Sequence, residues 1–273
     1  MTGEAAHTCW SYDDQRAFEA YARAYLADGL ARGEQVWYVP GERSTGVVDG
    51  WLSDIGGRPG SARVVRSGDA YAAGQVIDPA GQVAAYTAAT ERAIADGFTG
   101  LRVCADCTPL VRTTAQLDAF ARYEYAIGGY MRVAPMRAVC AYDRRELGER
   151  AVAELAGVHR HSNAGVPFRL HASGRPGVAI LDGEVDAAGE ELFVTALRRS
   201  GLGGPGNTEK GKVGEEVVID ARGSGFVDHR ALMRLQRHAS ECAVTVVLRT
   251  GRPSVRRLAG LLELSRVVVE IVA

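Results

Sequence analysis

In HTCWSYDDQRAF, residues 7–18, an aromatic and β-branched run passes directly into an acidic pair and then into a helical pattern. The run predicts a strand. Asp13 and Asp14 can accept from the first free N–H groups of the helix that follows. Its apolar positions Phe18, Tyr21, Ala22, Tyr25, Leu26 and Leu30 recur at three- and four-residue spacing, and Gly33 closes it. α/β chains commonly bind nucleotides at such a strand-to-helix turn, through glycines and a lysine that cradle phosphate. This turn has neither, and a phosphate arriving there would meet two carboxylates, which argues against Walker-type nucleotide hydrolysis.

The same alternation continues outward. QVWYVP (35–40) predicts a second strand, GVVDGWLSDIG (46–56) a short helix, and ARVVRSG (62–68) a strand reaching a loop at Asp69 and Tyr71. A helix from Pro79 to Asp96 precedes GLRVCADCT (100–108), whose near-continuous apolar character suits a central parallel strand. LDAFARYEYAIGGYM (117–131) predicts a helix, MRAVCAYD (136–143) another central strand, and ELGERAVAELAGVH (146–159) a further helix. SNAGVPFRLHASGRPG (162–177) is rich in turn residues and reads as the boundary, near 163 to 173, between domains at 1–165 and 166–273. Beyond it, strand and helix patterns alternate again on a smaller scale, with GLGGPGNTEKGKVGEE (201–216) read as a loop. The fold class is therefore α/β with a mainly parallel first sheet.

At 273 residues two domains are expected, because single cores stop growing near 250 residues. Lys plus Arg (32) and Asp plus Glu (33) nearly cancel, leaving no field to attract nucleic acid or an anionic membrane. The N-terminal stretch lacks a signal-like basic and apolar pattern, and no apolar run reaches membrane-spanning length, so a cytoplasmic protein is expected. Five cysteines without scaffold spacing are expected to be mostly reduced thiols.

His7 and Cys9 alternate onto one face of the first strand, with Tyr12 following. An imidazole and a thiol side by side suit a soft metal, an electrophile or a polar small molecule; equally, Cys9 is a small buried hydrophobe and His7 a hydrogen-bonded residue. Cys104-Ala-Asp-Cys107 has neither a second pair for zinc nor a helix start for redox chemistry. Because Cys9, Cys104 and Cys140 all fall on predicted central strands, the thiols and His7 form either one redox or metal site or scattered core residues. His159 and His161 suit the end of a helix in a structural role. With no GxSxG and no nucleophile-base-acid set, no catalytic residue is nominated and an enzyme is not expected.

Across most of residues 5–171, the segments HTCWSYDDQRAF, YLADGLARGEQVWYV, SGDAYAAGQVIDP, DGFTGLRVCAD, FARYEYAIG, VCAYDRRELG and LAGVHRHSNAGVPFRLH occur in an order that resembles the MEDS sensory family. The resemblance implies a RecA/KaiC-like domain without a phosphate loop that senses a small molecule, with His7, Cys9 and Asp106 lining its pocket. The candidate ligand-binding set is His7, Cys9, Tyr12, Cys104, Asp106, Glu124 and Cys140; the cofactor is unknown and no metal site is assigned. The chain departs from the family at Cys107-Thr108-Pro109, where an aromatic is usual. An alternative is a thiol-based redox or metal sensor using His7, Cys9, Cys104 and Cys107.

EEVVIDARGSGFVDHRALMRL (215–235) resembles the strand, loop and helix of STAS domains, the fold of anti-sigma-factor antagonists. That resemblance implies a smaller α/β domain that docks an anti-sigma factor or kinase-type regulatory protein around Asp228, His229 and Arg230. The family's phosphorylated serine is missing, since Asp228-His229-Arg230-Ala231-Leu232 holds no hydroxyl. Ser224 is expected in the loop between its glycines. Strand edges allow self-association without specifying it.

Overall fold

A computed structural model describes residues 6–55, 58–71, 75–204 and 215–272. The chain forms two compact units, one made of residues up to Leu155 together with His161–Ala164, the other of Ala156–Arg160 together with residues from Gly165 onward.

The first unit begins with β1 (His7–Tyr12) and α1 (Gln15–Ala31). Asp14 caps α1, its side chain accepting from the N–H groups of Arg16 and Ala17, while Asp13 pairs instead with Arg144 at 2.6 Å. β2 (Gln35–Val39), α2 (Val47–Asp54), β3 (Ala62–Val64), the four-residue α3 (Ser67–Ala70) and α4 (Pro79–Ala95) follow. Asp69 thus lies in a short helix and Tyr71 is buried just beyond it, where the sequence suggested a loop. β4 (Leu101–Asp106), a single 3-10 turn, α5 (Thr114–Met131), β5 (Met136–Asp143), α6 (Arg144–Ala156) and the two-residue β6 (His161–Ser162) complete the unit. The six strands are all parallel, in the order β3-β2-β4-β5-β1-β6.

Helix α1 packs its buried positions Phe18, Ala22 and Leu26 against Tyr12, Val36, Tyr38, Cys104, Val139 and Ala141. Each such Leu or Phe removed from water contributes about 1.5–3 kcal/mol. One strand position breaks the apolar expectation. Arg102 of β4 is fully buried, yet its guanidinium pairs with Glu34, lies 2.9 Å from Asp28, and covers the Tyr25 ring at 4.6 Å. The buried charge is tolerated because it is paired on several sides.

The second unit contains β7 (Phe168–Ala172), β8 (Val178–Val185), α7 (Glu190–Ser200), β9 (Glu216–Asp220), β10 (Ser224–Val227), α8 (His229–Glu241), β11 (Thr245–Thr250), α9 (Pro253–Leu261) and β12 (Val267–Ile271). Its sheet runs β10-β8-β9-β11-β12, with β7 antiparallel on β8. The turn-rich stretch 162–177 is therefore ordered at both ends. Asn163 exchanges two 2.7 Å hydrogen bonds with the Ser11 backbone, and Phe168–Ala172 is a strand whose apolar residues outweigh the flanking glycines. Ser224 corrects a second expectation: it opens β10, 4% exposed, and its hydroxyl donates to Gly183 O at 2.9 Å. Residues 205–214 of the expected 201–216 loop lie outside the described residues. Among the described residues no helix is long and apolar enough to cross a membrane.

Candidate functional site

Strand register decides which candidates can meet. In a parallel sheet, register partners share a face and residues one apart do not. Cys9 partners Cys140, and Cys140 partners Ala105, so those positions face α5; Cys104 partners Val139 and faces α1. Pairing of the strands therefore separates Cys104 from Cys9 and Cys140 although all three are on central strands. Cys104 is a buried member of the α1 core, and its thiol is pushed well up by burial. A single site built on all the thiols is not formed. All five cysteines are thiols, with Cys242 alone incompletely buried.

On the α1 face, at the carboxyl ends of the strands, lies the first group. The Tyr12 hydroxyl donates to Asp106 Oδ2 at 2.7 Å, and the Thr108 N–H donates to Asp106 Oδ1 at 3.0 Å. Thr108 Oγ1 accepts from Asp143 N at 2.9 Å, and Asp143 faces Arg43 at 3.5 Å. Over this floor Arg112 grips Glu42 through two hydrogen bonds of 2.9 and 2.8 Å and Glu146 through one of 2.6 Å. Tyr12, Glu42, Arg43, Asp106, Thr108, Pro109, Arg112, Asp143 and Glu146 line a small depression here. Gly41 sits so close that a side-chain methyl would overlap the Asp106 carboxylate. Burial raises Asp106 above the ordinary carboxylate range, against hydrogen bonds from Thr108 and Tyr12 that pull it down. Burial and Asp106 likewise raise the Tyr12 phenol. Open α/β sheets bind ligands outside these strand ends. Four carboxylates against two guanidiniums suit a neutral or hydrogen-bond-donating ligand better than a phosphate.

The second group is buried on the α5 face. His7 Nε2 lies 2.9 Å from Glu124 Oε2, Cys140 Sγ donates to the same oxygen at 3.3 Å, and Cys140 Sγ is 3.7 Å from His7 Nε2. Tyr142 donates its hydroxyl to Glu124 Oε1. Cys140 is pushed well up by a hydrogen bond with Cys107 and by burial. Tyr71, Tyr86, Phe120 and Tyr123 form an aromatic cluster, with the Tyr86 hydroxyl donating to that of Tyr71 at 3.0 Å.

α6 ends at Ala156, so neither His159 nor His161 terminates it as expected; His159 is buried in the turn and His161 opens β6. In the second unit Asp228 caps α8, accepting from Ala231 N at 2.8 Å, while His229 and Arg230 are exposed and Arg230 lies 3.5 Å from Glu190. Sequence reasoning missed Tyr142, Asp143, Thr108 and Arg112. Asp143 ends a predicted central strand, which is where ligand-facing residues belong and was a usable signal; Tyr142 is two residues from Cys140 and so shares its face.

Residues 6–160, more than half of the chain, match the family model described as MEDS: MEthanogen/methylotroph, DcmR Sensory domain. No curated protein and no solved structure matches the chain.

Proposed function

The chain belongs to the MEDS family of sensory domains, and on that premise we propose that it is a signalling regulator, not an enzyme, whose first unit senses a small molecule. The observation that carries this reading is Asp106, a buried carboxyl held between Tyr12 and Thr108 beneath the Arg112 clamp at the strand ends. A desolvated acid at the rim of a parallel sheet is costly to fold and useful to a ligand that hydrogen-bonds to it. The acidic β1–α1 turn supports a non-nucleotide ligand, because Asp14 already occupies donors a phosphate would need.

The second unit is read as a STAS-like effector that docks an anti-sigma factor or kinase-type regulatory protein. Support comes from segment 215–235, which folds as strand, short strand and helix with Asp228 as the cap. Ser224 offers no replacement phosphorylation site, since its buried hydroxyl is committed to backbone oxygens. Ligand held by the first unit would change the partner affinity of the second through different affinities for two states.

The test is the thermal midpoint of the full chain with and without the small-molecule fraction of a cell extract. A midpoint raised by the extract in the wild type and unmoved in Asp106→Asn is expected. Equal response of both proteins, or of neither, removes the strand-end site from the account.

A further inference from the structure

The geometry points to a transition-metal site inside the first unit, formed by His7 Nε2, Glu124 Oε2 and Cys140 Sγ, with a zinc-like divalent ion as its occupant. The three donors come from β1, α5 and β5, elements far apart in sequence that the fold brings to one buried point. His7 is 5%, Glu124 0% and Cys140 3% exposed. Their separations of 2.9, 3.3 and 3.7 Å place an equidistant point about 1.9 Å from each donor. Zinc sits about 2.0 Å from nitrogen and oxygen and about 2.3 Å from sulfur, so opening the triangle by a few tenths of an ångström admits the ion. One imidazole, one carboxylate and one thiol make a borderline donor set that suits Zn²⁺, Co²⁺ or Fe²⁺ rather than Mg²⁺ or Ca²⁺.

The surroundings are those of a supported metal ligand. Tyr142 fixes the far oxygen of Glu124, the outer-shell contact that orients a coordinating carboxylate. Helix α5 approaches the imidazole at Gly128, where an added methyl would lie 2.9 Å from His7 Nδ1. The site uses neither Cys104, which faces the α1 core, nor the Tyr12–Asp106 pair, and it stands whether or not the strand-end depression binds a small molecule.

The experiment is a Co²⁺ titration of the full chain after chelator treatment, followed by the thiolate-to-cobalt charge-transfer band, with displacement by Zn²⁺. One equivalent per chain is expected, with the band kept in Cys104→Ala and lost in Cys140→Ala. Tyr142→Phe should weaken cobalt binding by about tenfold to hundredfold, as loss of an outer-shell partner does. Should Cys140→Ala fail to fold, His7→Gln, with its circular dichroism recorded, takes its place and should bind at least tenfold more weakly. No band, a stoichiometry well below one, or a band that survives both Cys140→Ala and His7→Gln overturns the site. A chain that carries an organic adduct but takes no cobalt overturns this inference and leaves the sensory reading standing.

Discussion

Replacing Tyr12 with Phe removes one oxygen and leaves the ring in place, stacked on Phe18 at 4.8 Å between centroids. What is lost is the 2.7 Å hydrogen bond to Asp106. A hydrogen bond to a charged group contributes about 1.5–3 kcal/mol, and its buried acceptor is left short of a partner. For a unit of this size each kcal/mol moves the midpoint by about 2–4 °C, so a fall of about 3–12 °C is expected by scanning calorimetry. The effect also depends on pH. Burial holds Asp106 above its unfolded value of 3.8, so between that value and its folded value the native state keeps a proton that the unfolded chain releases. Stability therefore falls as pH rises through that window. Tyr12→Phe removes a bond that lowers the Asp106 pKa and should widen the window upward. In a double-mutant cycle with Asp106→Asn the coupling should account for most of the single-mutant loss. A midpoint within about 1 °C of wild type at neutral pH, where the charged-group hydrogen bond is at stake, or additive single mutants, would refute the reasoning.

Three further outcomes follow from the second unit and the thiols. Asp182 is held low by its 3.1 Å hydrogen bond from His171, so its contribution is present above the unfolded value of 3.8 and lost as pH falls through the lower folded value. Because Asp182 is 42% exposed, Asp182→Asn should cost under about 1 kcal/mol at neutral pH, and urea midpoints of mutant and wild type should converge in acid. Asp228→Ala removes the cap of α8 and should lower stability by about 1 kcal/mol in urea titration. A thiol reagent should titrate one cysteine per native chain, and Cys242→Ser should abolish that phase, because the other four thiols are buried.

Much of the fold was legible because its signals are periodic. The strand at HTCWSY and the capped helix after it fall where alternation and the acidic pair place them, and the central strands around Val103 and Val139 are apolar enough to announce themselves. Short pairings were not legible. β7 lies inside a stretch rich in turn residues, and β10 starts just after Gly223 and contains Gly225, so the local composition hides both; pairing with β8 completes them as strands. The site was legible in part. Each of His7, Tyr12, Asp106, Glu124 and Cys140 is in one of two buried hydrogen-bonded groups, but residue types alone do not say that the sheet divides them. That division is set by parallel register, in which Cys140 pairs with Cys9 and Ala105 and leaves Cys104 to the other face. Arg102 was hidden for a similar reason: its carboxylate partners Asp28 and Glu34 lie far away in sequence.

The most direct measurement is native mass spectrometry of the full chain, purified without chelator and then desalted, compared with the same sample denatured. A small organic mass held at one per chain, released on denaturation and absent from Tyr12→Phe/Asp106→Asn, is the predicted result for a sensory first unit. A native mass equal to the bare chain before and after incubation with the small-molecule fraction of a cell extract, or an organic mass retained by the double variant, would contradict it.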